Sequence, residues 1–213
     1  MRITTPRWTQ GNGATRAVAL EVLIHGPLSR SEVARRLDLS PGSLTRLSAP
    51  LLDSGLLIEV GEHSDGRVGR PSQLLDVVPA SRRFIGMKLM ADEIAGVTTD
   101  LRGNVLATEG RRLEARDPQS VVATVTELAT SLRRGRPEIT ALGIGVGGLV
   151  GEHGLVQSAP FLHWNDVPLG SMVEAVSGIP TIVENDLVAF TEYEHWFGAG
   201  RGLDRFAVVT LGA

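Results

Sequence analysis

Over the first eighty residues the apolar positions fall at helical spacing. Ala17, Val18, Leu20, Val22, Leu23 and Ile24 crowd the segment from Thr15 to Ile24, and Gly26-Pro27 ends it. Ser29, with Glu32 three residues on, has the form of a capping box, so a second helix starts there with Val33, Ala34 and Leu37 inward. Ser40-Pro41 joins an N-cap to a proline at the first helical position. The third helix this opens runs to about Asp53 with Leu44, Leu47, Leu51 and Leu52 inward, and Pro50 is expected to kink it or split off its last turn. Leu56-Leu57-Ile58 and Gln73 to Val77 read as two strands around the loop GEHSDGRVGRPS. Two short helices, a tight turn, a third helix and a hairpin spell a winged helix-turn-helix over residues 15–78, after a polar, Gly-rich and mobile stretch at 1–14.

Residues 79–83 read as a linker, and from Phe84 the period shortens. FIGMKLM, EIAGVTTD and VLATEGRR predict three antiparallel strands, the last two joined by a hairpin turn at Leu101 to Asn104. Asp117-Pro118 opens a helix with Val121, Val122, Val125, Leu128, Ala129 and Leu132 on one side. Ala141 to Val146 is the next strand and ends in Gly147-Gly148. A Gly-bearing hairpin, a helix from Pro168 to Val176, a strand at Thr181-Ile182-Val183, an amphipathic helix from Leu187 to Phe197 and a strand from Phe206 to Leu211 complete the order. The fold class is therefore α/β: a winged helix-turn-helix in front, and behind it one lobe of an actin-like or ribonuclease-H-like fold over 84–213.

Charge divides the same way. Residues 1–83 hold eleven Arg against eight acids, whereas residues 84–213 hold ten basic residues against sixteen acids. A positive front joined to a negative rear suits a nucleic-acid reader coupled to something else. The chain has no cysteine, which removes disulfides, thiolate catalysis and Cys-type zinc sites from these residues. No apolar run approaches the ~20 residues of a membrane span, and MRITTPRWTQGNG lacks the apolar core of a signal peptide. A cytoplasmic location and no membrane partner are the expectation.

Two groups of residues carry candidate chemistry. In a winged helix-turn-helix the N-terminal part of the third helix enters the major groove of double-stranded DNA. Ser40, Ser43, Thr45 and Arg46 stand there, short hydroxyls and one Arg suited to phosphates and base edges. Arg67, and Gly69-Arg70-Pro71 in the wing, have the composition of a hook for a narrow minor groove. The plainer reading makes the module an interaction domain with Arg67 and Arg70 as loop charges, and Arg35 and Arg36 as a solvated helix face. The second group is Asn185-Asp186, which a strand delivers to the start of a helix at the carboxyl edge of a sheet, where open α/β folds bind ligands. Its plainer reading is Asp186 as a helix cap and Asn185 as a turn residue.

Gly143 to Gly148 (GIGVGG), SAPFLHWNDVPL at 158–169, VENDLVAF at 183–190 and EHWFGAGRG at 194–202 together resemble the ROK-family transcriptional regulators. That resemblance covers nearly the whole chain and implies a winged helix-turn-helix followed by a sugar-kinase-like domain, expected here as its first lobe and truncated after it. The family's sugar kinases carry an Asp-x-Gly-Gly-Thr phosphate hairpin; the matching positions here are Lys88, Leu89, Met90, Ala91 and Asp92, so kinase activity is not expected. Leu211-Gly212-Ala213 matches only the start of the second phosphate loop. Asn185 and Asp186 match the family's sugar-binding pair, Gly147-Gly148 stands where Pro-Gly is usual, and Phe161 replaces a common Asn. His163, His195, Trp164 and Trp196 are read as structural or packing residues. The resemblance implies a repressor of carbohydrate uptake or catabolism genes, with no cofactor, binding an operator as a homodimer or higher oligomer and responding to a sugar or sugar phosphate. The alternatives are a ligand-independent DNA-binding or dimerisation module and a ROK sugar kinase.

Overall fold

Hydroxyl, amide and carboxylate caps set where most of the helices begin. The chain is seen in a computed structural model that describes residues 13–63, 72–135 and 139–210. It forms two compact units, Met1–Ser81 and Arg82–Ala213.

The first unit holds α1 (Gly13–His25), β1 (Leu28–Ser29), α2 (Arg30–Arg36), α3 (Pro41–Asp53), β2 (Leu57–His63) and β3 (Ser72–Val77). Ser29 Oγ accepts from the backbone N–H of Glu32, and Ser40 Oγ accepts from that of Ser43, both at 3.2 Å. These hydroxyls satisfy donors that a helix start otherwise leaves open. The reciprocal half of the expected capping box is spent elsewhere: the Glu32 carboxylate holds Arg36 at 3.0 Å. Val18, Val22, Val33, Leu44, Leu47 and Leu75 are buried and form the core. Each such side chain contributes about 1.5–3 kcal/mol on burial. The strands pair antiparallel in the order β1-β3-β2, with Leu57 opposite Val77 and Leu28 opposite Leu75. Strand β1 is too short to carry a sequence signal.

Helix α3 runs unbroken across Pro50, contrary to the expected kink or split. The proline removes the hydrogen bond to the carbonyl of Arg46, and both residues lie on the exposed side. Water can take up that carbonyl, while Leu47 and Leu51 hold the opposite face in the core.

The second unit is built on a five-stranded sheet in the order β11-β7-β4-β5-β6. Its strands are β4 (Arg83–Leu89), β5 (Glu93–Asp100), β6 (Val105–Arg112), β7 (Ala141–Val146) and β11 (Thr181–Asn185). β4, β7 and β11 run parallel, and β5 and β6 add antiparallel. α4 (Pro118–Leu132) and α5 (Leu169–Ser177) share one apolar core with one face of this sheet: Ile85, Met87 and Leu89 meet Leu142, Ile144, Val146 and Val183 there, with Val125, Leu128 and Val173 from the helices. Alternation along each strand sends Gly86, Lys88, Gly143 and Gly145 to the other face. α6 (Asp186–Trp196) follows β11, and none of its residues is buried.

A small antiparallel sheet, β8 (Leu149–Val150), β9 (Val156–Ala159) and β10 (Trp164–Val167), lies in the loop after β7. Trp164 is buried there and its indole N–H donates to the Arg116 carbonyl at 2.6 Å, a packing role. β10 breaks the alternation with Asp166 in the left-handed region, which hid it from a period-2 reading. Residues 206–210 form no strand, a correction to the expected strand at Phe206 to Leu211. They pair with no neighbour among the described residues, and a β-strand exists only through its ladder partner.

Candidate functional site

The candidate reading face is the start of α3. Leu44, Leu47 and Ser48 turn inward, which at 3.6 residues per turn sends Gly42, Thr45, Arg46 and Ala49 to solvent. Ser40 Oγ donates to Ser43 Oγ at 2.9 Å, and Thr45 Oγ1 donates to the Pro41 carbonyl at 3.0 Å. All three hydroxyls are thus anchored locally and keep an acceptor lone pair outward. Arg46 is exposed and has no intramolecular partner among the described residues.

The other arginines of this unit differ. Arg36 donates to Glu21 at 3.1 Å and to Glu32 at 3.0 Å, and these carboxylates raise its pKa. Arg30 is bonded to Glu59 on β2. Arg35 lies 4.0 Å from Glu32 and is largely exposed. Arg67, Arg70 and Pro71 of the expected wing lie outside the described residues.

The second candidate is the carboxyl edge of the parallel strands. β4, β7 and β11 end side by side, with Lys88 opposite Gly145 and Asn185 opposite Val146. Asn185 is the N-cap of α6: its Oδ1 accepts from the N–H groups of Leu187 at 3.0 Å and Val188 at 3.2 Å. Its Nδ2 donates to the Gly148 carbonyl at 2.8 Å, tying the turn after β7 to the helix start. The division of labour is the reverse of the plainer expectation, in which Asp186 caps and Asn185 only turns. Asp186 is the first helical residue, and its carboxylate meets Lys88 Nζ at 3.2 Å.

The glycines here act through space. A Cβ on Gly148 would stand 2.2 Å from the Ser158 carbonyl oxygen, so this turn accepts only glycine. A Cβ on Gly145 would stand 3.4 Å from that of Asp186, and one on Gly147 would stand 3.5 Å from the Phe161 ring. Gly147, Gly148, Asn185 and Asp186 therefore form one contiguous patch, with Phe161 as a side wall. His163 is exposed in a left-handed turn, and the His195 ring lies 5.6 Å from that of Phe206. Among the described residues no group of three His, Asp or Glu could hold a metal ion.

The ion pair between Lys88 and Asp186 was not visible in the sequence. The two residues are ninety-eight positions apart, and only the β4-β7-β11 order brings them together. The available signal was that Lys88 is the one lysine of the chain, placed at the end of a strand.

The sheet order, the helix layers and the polar edge define one lobe of the sugar-kinase-like α/β class. The ROK family model matches residues 84–213, and the chain belongs to the ROK family. It is 24% identical over 195 residues to the xylose repressor of Bacillus subtilis, covering 90% of this chain and 50% of the relative. It is 35% identical over 129 residues to a glucokinase of Streptomyces coelicolor, covering 60% of this chain and 40% of the relative. The solved structure of a ROK family transcriptional regulator, a homologue of the E. coli MLC protein, superposes with a TM-score of 0.72 at 24% identity. That match covers 88% of this chain and 50% of the other. The chain thus spans about half the length of the regulators it matches.

Proposed function

We propose that the chain is a sequence-specific DNA-binding transcriptional repressor of carbohydrate genes, with a winged helix-turn-helix as reader and the ROK lobe as the seat of a sugar effector. The observation that carries this reading is the outward face of α3: an unpartnered Arg46 flanked by Thr45, Gly42 and Ala49, with capped serines at its start. An unpaired guanidinium can make a bidentate contact to a guanine edge or hold a phosphate, and the small side chains let the helix approach the groove. The match to the xylose repressor runs across 90% of the chain, reader included, whereas the glucokinase match covers 60%. Two copies would place their α3 helices on half-sites about one helical turn apart, with the sugar shifting that geometry.

The enzymatic alternative is disfavoured by residue type. At the positions matching the phosphate hairpin, Met90 and Ala91 stand where a cradle needs glycine.

The test is selection of bound duplexes from a random 30-base-pair library by the full chain, followed by anisotropy titration of the enriched sequence. An enriched sequence is expected, bound at least tenfold more weakly by Arg46→Ala, with affinity falling steeply between 50 and 200 mM salt. No enrichment, or an unaffected Arg46→Ala, overturns the assignment.

A further inference from the structure

The edge contains more than the pair of residues that the sequence marks. A site for adjacent sugar hydroxyls needs an acceptor and a donor side by side. Asp186 supplies the acceptor. Asn185, the expected donor, has its carbonyl oxygen committed to two helix N–H groups and one amide hydrogen committed to Gly148. Lys88 Nζ lies 3.2 Å from Asp186 Oδ2 on a side chain that is 58% exposed, against 22% for Asp186. An ammonium has three hydrogens, and this pair uses one, so two still point outward beside a carboxylate that is itself accessible.

We propose that Lys88 is a ligand-contacting residue, and that Lys88 and Asp186 together grip two neighbouring hydroxyls of an uncharged sugar in preference to its phosphate ester. This rests on the reading of the ROK lobe as the seat of a sugar effector. The preference follows from the charges at the edge. The Lys88 and Asp186 charges cancel, while Glu184 and Asp92 stand at the same ends of β11 and β4 without a described cation beside them. Arg116, which donates to the Phe161 carbonyl beside the patch, offsets one of these two acids, and the edge stays net negative. Arg111 is paired with Glu109, and Arg112 lies two strands from β4, opposite Glu93. A phosphate ester would meet a net negative edge, whereas a neutral polyol meets a donor and an acceptor at hydroxyl spacing.

Titration calorimetry of the full chain would use D-glucose and D-xylose, each beside its terminal phosphate ester, glucose 6-phosphate and xylose 5-phosphate. At least one neutral sugar is expected to bind, with its ester at least tenfold weaker. Lys88→Met and Asp186→Asn are each expected to weaken that sugar at least tenfold. The double variant should lose little more than either single one, because the two groups act on one ligand. Lys88→Arg, which keeps the charge, should retain part of the affinity. Neutral-sugar binding that survives Lys88→Met, or an ester that binds tighter than its parent sugar, overturns the role of Lys88 and leaves the sugar reading standing. No binding by any of the four compounds overturns both.

Discussion

The two candidate sites differ in what their side chains already hold. On α3 the candidate base reader, Arg46, has no internal partner among the described residues, although Arg30 and Arg36 of the same unit are tied to carboxylates. At the edge of the ROK lobe the opposite holds: the Asn185 side chain makes three internal hydrogen bonds and Asp186 an ion pair. A face meant for a long polyanion can leave its cation solvated until the partner supplies the counter-charge. A pocket meant for a small neutral molecule must be held in place beforehand, because the ligand brings too few contacts to organise it.

The sharpest way to break this contrast is at Gly148. Gly148→Val places a Cβ 2.2 Å from the Ser158 carbonyl oxygen and should destabilise the ROK lobe by about 3 kcal/mol, read by urea unfolding. An unchanged midpoint would mean the turn is loose rather than built. Next in size is Asn185→Ala, which removes a helix cap and the tie to Gly148. About 1 kcal/mol of lobe stability should go, with DNA affinity unchanged. Asn185→Asp keeps the cap acceptor but not the donor to Gly148, so it should fall between. If Asn185→Ala leaves stability untouched, the edge is not preorganised by that amide.

In the first unit, Arg36→Ala is the control for Arg46. Its two carboxylate partners are partly exposed, so the loss should stay within about 1 kcal/mol, and DNA affinity should not move. A large fall in DNA binding by Arg36→Ala would put the reading face on α2 as well. The smallest effect concerns acid. Ser120, through its hydroxyl and its backbone N–H, hydrogen-bonds the Asp117 carboxylate at the start of α4 and holds its pKa below the usual carboxylate range. A lowered folded pKa contributes stability above the unfolded value, and the contribution fades as pH falls through the lower folded value. Asp117→Asn should therefore lower the lobe's stability slightly at neutral pH, leave it unchanged at strongly acid pH, and so flatten the acid limb of the profile.

Much of the architecture was legible because it is local. Ser40-Pro41 and Asp117-Pro118 announce α3 and α4 through capping chemistry that needs no distant partner. The alternation of Ile85, Met87 and Leu89 likewise marks β4 within seven residues. What escaped depends on neighbours. β1 is two residues long and exists through Leu75 and Leu74, while residues 206–210 have strand composition yet no ladder partner among the described residues. At the candidate site, the sequence located Asn185 and Asp186 but not their roles. Which of them caps, and which faces a lysine ninety-eight residues away, is decided by sheet order.

One detail of α6 reaches beyond its own turn. The helix is fastened near its start by Asn185 to Gly148, and two turns later the Tyr193 ring rests against Gly103 in the β5–β6 turn. Between these supports it spans roughly 12 Å at 1.5 Å per residue and buries no side chain. It is therefore a stiff rod seated at two bearings rather than a plank glued along its length. A rod so seated moves as one piece, so a displacement of its start at Asp186 is carried to Tyr193 and the β5–β6 turn at Gly103.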